Sequence, residues 1–227
     1  PTYILVVIGA VICMIASARV KGTFNKYSQL RSMSGMNGAQ VAQRVLQAAG
    51  IYDVQVRHVS GSLTDHYDPR TKTVNLSQSV YGATSVAAIG VAAHECGHAM
   101  QDNEGYAPLR FRSALVPAAN FGSKLSWPLI LLGLVFGGLG SPLVEIGILM
   151  FSLAVLFQLV TLPVEYNASA RAVRLLDSQG ILAGEEVSGT RKVLNAAALT
   201  YVAAAATSIL QLLRLIILFG GRNRRDN

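Results

Sequence analysis

Charge is scarce in this chain. Of its 227 residues only 14% are Asp, Glu, Lys or Arg, while 52% are hydrophobic; an ordinary soluble domain carries about 25% charge. Disorder needs the opposite balance and is excluded. Cysteine is scarcer still: Cys13 and Cys96 alone do not make a disulfide scaffold. Acidic residues number 12 against 19 basic ones, for a net charge of +7. Basic and aromatic residues are not interleaved, so no nucleic-acid partner is expected. In an apolar chain a basic excess reads instead as loops beside anionic lipid.

The shortage of charge is local. Thr2 to Ala18 carries none and is followed at once by Arg19 and Lys21. It is read as a retained anchor near the lower length limit for a membrane span, because no basic segment precedes it as in a signal peptide. Trp127 to Leu139 and Leu143 to Leu162 are two more apolar runs, separated by Gly140-Ser141-Pro142 and read as a membrane hairpin. Ala196 to Gly221 is a weaker fourth stretch, rich in Ala and interrupted by Arg214; it is left open whether it spans, re-enters or lies at the interface. Gly133 and Gly137 form a small-residue step suited to packing helices within the chain, with a homo-oligomer contact as the alternative.

The segments between these runs are mixed in polarity. Gly38 to Ala49 has the spacing of an amphipathic helix with Val41, Val45 and Leu46 on one face. Val54 to Val59 alternates like a strand, Thr64 to Arg70 has turn chemistry, and Thr73 to Leu76 is a short strand, read either as a sheet edge where an extended substrate could pair or equally as an ordinary strand. Ser85 to Gln101 reads as a helix with Ser85 as its cap.

That helix carries His94-Glu95-Cys96-Gly97-His98. With four His and six Glu in the chain, an H-E-x-x-H match arises by chance in roughly 0.002 of such sequences. At about 100° per residue, His98 lies one turn along and about 40° round from His94, so both imidazoles reach one ion. Glu95 lies about 100° round and is free to act as a base. The small apolar residues Ala88, Val91, Ala92 and Ala93 suit a packed helix rather than an exposed one. Cys96 faces away from the pair and reads as packing, with a fourth thiolate ligand as the lesser alternative. Catalytic zinc takes three protein ligands. Glu165, just after the third apolar run, is the first candidate for the third, because the hairpin returns the chain to the face of the membrane it left; Glu104, Asp102 and His66 are weaker alternatives.

Lys26-Tyr27-Ser28-Gln29, Ser34-Gly35-Met36, Leu63 to Arg70, Ala92 to Ala99 and Leu162 to Ser169 together resemble the YugP-type membrane zinc metallopeptidases over nearly the whole chain. The resemblance implies a mainly α membrane protein with a zincin-like catalytic domain, a small β element and about four transmembrane helices. It implies a zinc endopeptidase with His94, His98 and Glu165 as ligands and Glu95 as catalytic base. Wider relatives, HtpX and the CAAX prenyl proteases, carry Glu-x-x-Ala-Asp on the second ligand helix. Here Ser169 stands where their Asp would be, which leaves the orienting partner of the imidazoles open; Asp177 is one expectation. For the oxyanion donor His66 ranks first, oriented by Asp65 or Asp68, ahead of Tyr67, Tyr166 and Arg171.

The expected organisation is an anchor over 1–18, a catalytic domain over 19–124, a hairpin over 125–162, a second catalytic part with the third ligand over 163–195, and a membrane helix with a basic tail over 196–227. Eleven basic residues flank the spans on the catalytic side and the hairpin turn has none, which expects that side to be cytoplasmic in a bacterial inner membrane. The expected partners are the lipid bilayer and a membrane-associated protein or peptide substrate. A site-2-type intramembrane protease lacks its Asp-Gly partner here, since Ser178 follows Asp177. A zinc-binding scaffold without catalysis is the remaining alternative.

Overall fold

The computed structural model describes residues 2–138 and 141–219. Pro1, Leu139, Gly140 and 220–227 lie outside the described residues, and with them the first residue of the expected hairpin turn and the basic tail of Arg222, Arg224 and Arg225. Seven helices and three strands follow in chain order: α1 (Tyr3–Ser28), α2 (Gly38–Ala48), β1 (Gln55–Val59), β2 (His66–Asp68), β3 (Thr73–Ser77), α3 (Gln78–Tyr81), α4 (Val86–Asn103), α5 (Ala107–Gly137), α6 (Pro142–Ser178) and α7 (Glu185–Phe219). The chain is mainly α with one small sheet, as its patterning predicts.

The described residues form two compact units. One draws on the described parts of Pro1–Ala16, Arg110–Leu162 and Thr200–Asn227, the other on Ser17–Leu109 and Pro163–Leu199. In the first, α1, α5, α6 and α7 supply four stretches long and apolar enough to cross a membrane. Only 11% to 28% of the residues in these apolar windows are buried by protein. Side chains such as Ile4, Leu131, Val135, Leu149 and Ile217 point outward, a surface that water tolerates poorly and lipid accepts. Glycines let the helices approach. A Cβ on Gly147 would meet the Ser126 carbonyl oxygen at 2.8 Å, and one on Gly133 the Val144 side chain at 2.8 Å. The Gly133 step therefore packs within the chain. Arg214 does not interrupt α7; its guanidinium lies over the Tyr3 ring, 5.0 Å from the centroid.

The second unit is built around α4. Asn37 and Gln40 close a reciprocal capping box at the start of α2, and the Ser85 hydroxyl accepts the Ala88 N–H at the start of α4. Val41, Val45 and Leu46 of α2, Val74 and Leu76 of β3, and Ile89, Ala92 and Cys96 of α4 share one core with Leu176 and Leu182. Burying each of the larger side chains is worth roughly 1.5–3 kcal/mol. The sheet runs β1-β3-β2, with β3 parallel to β1 and antiparallel to β2.

Two expectations are corrected here. The segment Thr64 to Arg70 is not all turn: His66–Asp68 extends to pair with β3, and the reversal comes after it, where Asp68 accepts the Arg70 N–H and the Thr71 hydroxyl and Lys72 adopts φ +50°. Thr73–Ser77 is not an edge strand. Both of its hydrogen-bonding edges are occupied and all five residues are buried, so a substrate has no edge there to join. The helices also overrun the apolar stretches read from the sequence. α6 continues through Pro163, a position where proline removes one backbone donor without ending the helix.

Candidate metal centre

His94 and His98 project from α4, one turn apart, with ring centroids 4.8 Å apart and planes at 83°. Glu165 comes from α6, two residues beyond Pro163. Its Oε2 lies 3.2 Å from His94 Nε2 and 3.5 Å from His98 Nε2. One donor atom from each of the three lies within 4.8 Å of the others, and His98 and Glu165 are buried. The weaker alternatives for the third ligand are engaged elsewhere. Asp102 accepts the Tyr67 hydroxyl and the Lys72 ammonium, both at 2.7 Å. Glu104 pairs with Arg171 at 2.6 Å, which lowers its carboxyl pKa.

The hydrogen-bond partners fix which nitrogens are available. Gln101 Nε2 is 2.8 Å from the Val164 carbonyl oxygen, which can only accept. The amide nitrogen is therefore assigned to that side, and Gln101 Oε1 faces His98 Nδ1 at 3.0 Å. An amide oxygen also only accepts, so His98 Nδ1 carries a proton and Nε2 is the nitrogen left facing Glu165. The same amide nitrogen donates to Asn167 Oδ1, which accepts Arg171 Nε at 2.7 Å; Arg171 in turn reaches Glu104. On the other imidazole, Ser169 Oγ lies 3.1 Å from His94 Nδ1, leaving His94 Nε2 toward Glu165.

This arrangement fits a zinc ion. Two imidazole nitrogens and a carboxylate oxygen converge with lone pairs facing inward in a buried place, an arrangement that repels itself unless positive charge sits among them. The local electrostatics agree. Burial disfavours the charged form of His98, yet the carboxylates of Glu165 and Glu95 outweigh it and raise its pKa. Glu95 is buried beside the cluster, and among the described residues no hydrogen bond reaches its carboxylate.

Ser169 and Gln101 hold the imidazoles, in place of the expected Asp177. Ser169 was legible as a departure from the wider relatives; Gln101 was not singled out, and its only sequence signal is its place three residues after His98 on one helix face. Cys96 is fully buried against α2, Sγ 3.5 Å from the Ala42 carbonyl oxygen, and burial raises its thiol pKa; it packs.

His66 is not held by an aspartate. Its Nδ1 lies 2.8 Å from the Thr64 carbonyl oxygen and Nε2 3.3 Å from Asn75 Nδ2. Asp65 is taken by the Ser77 N–H and hydroxyl, and Asp68 by Arg70 and Thr71. Both ring nitrogens of His66 thus face groups of its own sheet and turn rather than an aspartate. Tyr67 is committed to Asp102, and burial with that bond raises its pKa.

Fold and site together give a membrane protein in which two histidines and one carboxylate are grouped closely enough to hold a metal ion. The chain belongs to the family described as "Putative neutral zinc metallopeptidase", which it matches over residues 2–220. It is 48% identical over 211 residues to the "Putative membrane protease YugP" of Bacillus subtilis (strain 168), covering 93% of this chain and 92% of that protein. No solved structure matches it. It is an integral membrane protein of a zinc peptidase family.

Proposed function

We propose that the chain is a membrane-embedded zinc endopeptidase that cleaves membrane or juxtamembrane proteins on the cytoplasmic side. The carrying observation is the convergence of His94 Nε2, His98 Nε2 and Glu165 Oε2, with Glu95 buried next to His94 on the same helix. His94, His98 and Glu165 would hold the ion. Bound zinc supplies Lewis acidity at a peptide carbonyl and at water. Glu95 accepts the proton of the attacking water at a carboxylate oxygen and passes it to the leaving amine nitrogen. Gln101 and Ser169 keep the two Nδ1 atoms occupied, so that both Nε2 atoms stay directed at one point.

A comparison of membrane peptides from cells carrying the wild-type chain or Glu95→Gln tests this reading. Intact substrates are expected to accumulate in the variant and their fragments to vanish. Identical peptide sets contradict it.

A further inference from the structure

Away from the metal donors, α1, α6 and α7 enclose a groove with an unusual concentration of one charge. Two adjoining hollows of about 430 and 460 Å³ share Tyr166 and Asn195. Arg174 and Arg191 wall the first, and Arg19 and Lys192 the second; Asp177 is the one acidic residue among the lining groups. None of the four cations forms an ion pair among the described residues. Four exposed cations, two lining each hollow, against one acidic residue make the groove attractive to an anion from outside the chain.

Two features identify which anion. Ser169 lines the first hollow and contacts His94 at Nδ1, whereas Nε2 on the opposite edge of the ring faces Glu165. The hollow thus adjoins the His94 ring on its Ser169 edge, and none of His94, Glu95, His98 and Glu165 lines either hollow. The second feature is where the lining residues fall along the chain. Arg19 follows the uncharged run 2–18, Lys192 precedes the uncharged run 193–213, and Tyr166 and Arg174 follow the uncharged run 146–164. Cations and an exposed tyrosine at the ends of three apolar runs are the chemistry of the headgroup layer.

We propose that this groove holds the phosphate of an anionic phospholipid headgroup. The site does not rest on the metal reading, and it is expected in the metal-stripped chain as well as in the zinc-loaded one.

Native mass spectrometry of the detergent-purified full chain tests the proposal, with dioleoyl phosphatidylglycerol, dioleoyl phosphatidylcholine and inorganic phosphate as separate titrants. Phosphatidylglycerol is expected to bind at least about tenfold more tightly than phosphatidylcholine, since each nearby cation contributes roughly fivefold. Arg174→Gln with Arg191→Gln, and separately Arg19→Gln with Lys192→Gln, each weaken phosphatidylglycerol binding by about tenfold or more. Arg44→Gln with Arg57→Gln, equally exposed on α2 and β1, leaves it unchanged. Equal binding of the two lipids, an equal loss in the Arg44/Arg57 variant, or displacement of bound lipid by inorganic phosphate or an acidic peptide at matching concentration overturns the proposal.

Discussion

A buried imidazole can offer a metal one nitrogen only if its other nitrogen has a place to put its proton. Here that place is Gln101 for His98 and Ser169 for His94. The Gln101 side rests on a chain of obligate donors and acceptors reaching through Asn167 to Arg171 and Glu104. Gln101→Ala leaves the His98 proton without an acceptor and is expected to lower zinc affinity by about 10–100-fold. Ser169→Asp, a stronger acceptor at the same position, should bind zinc at least as tightly as the wild type. Competition with a chromogenic zinc chelator measures both, and wild-type affinity in Gln101→Ala removes the assigned role. His94, Glu95 and His98 were legible because helical geometry converts their spacing into a shared face. Glu165, 71 residues beyond His94, was legible only through the argument that two apolar runs return the chain to its starting side. Gln101 was not, because a glutamine reads as surface until the element packed above it is known.

Among the elements, α4 and α6 carry the centre, and their approach depends on Gly97. A Cβ there would stand 2.5 Å from the Ala168 carbonyl oxygen, with the Ala168 backbone behind it. Gly97→Ala must push apart the two helices that bring His94 and His98 to Glu165. It is expected to cost about 1–3 kcal/mol of stability and to weaken zinc binding more than a surface substitution on the same helix. Thermal unfolding with and without zinc reads both effects, and wild-type values for each would refute the close-packing account. The sequence showed this glycine inside the motif but could not show what passes over it. The strands illustrate the same limit. Thr73 to Leu76 was recognisable by composition, but its central place was not, because that depends on β1 and β2 pairing on either side. His66–Asp68 was hidden by Asp and Pro nearby, where pairing with β3 overrides local turn preference.

For the molecule as a whole, low charge resolves into four apolar helices with lipid-facing surfaces, and the basic excess gathers in the loops and helix ends between them. The eleven basic residues flanking the spans on the catalytic side support the orientation proposed above, against the three arginines of the tail. A cysteine introduced at Arg57, an exposed position on β1, is expected to react with a membrane-impermeant maleimide only after cells are permeabilised. Labelling in intact cells would reverse the assigned side. The most direct test of the central claim is zinc content measured together with peptide hydrolysis on the purified wild-type chain and Glu95→Gln. The account predicts one zinc per chain in both, with hydrolysis reduced by about 10²–10⁴-fold in the variant, the range of a lost general base. Undiminished hydrolysis in Glu95→Gln, or a wild-type chain that binds no zinc, would contradict it.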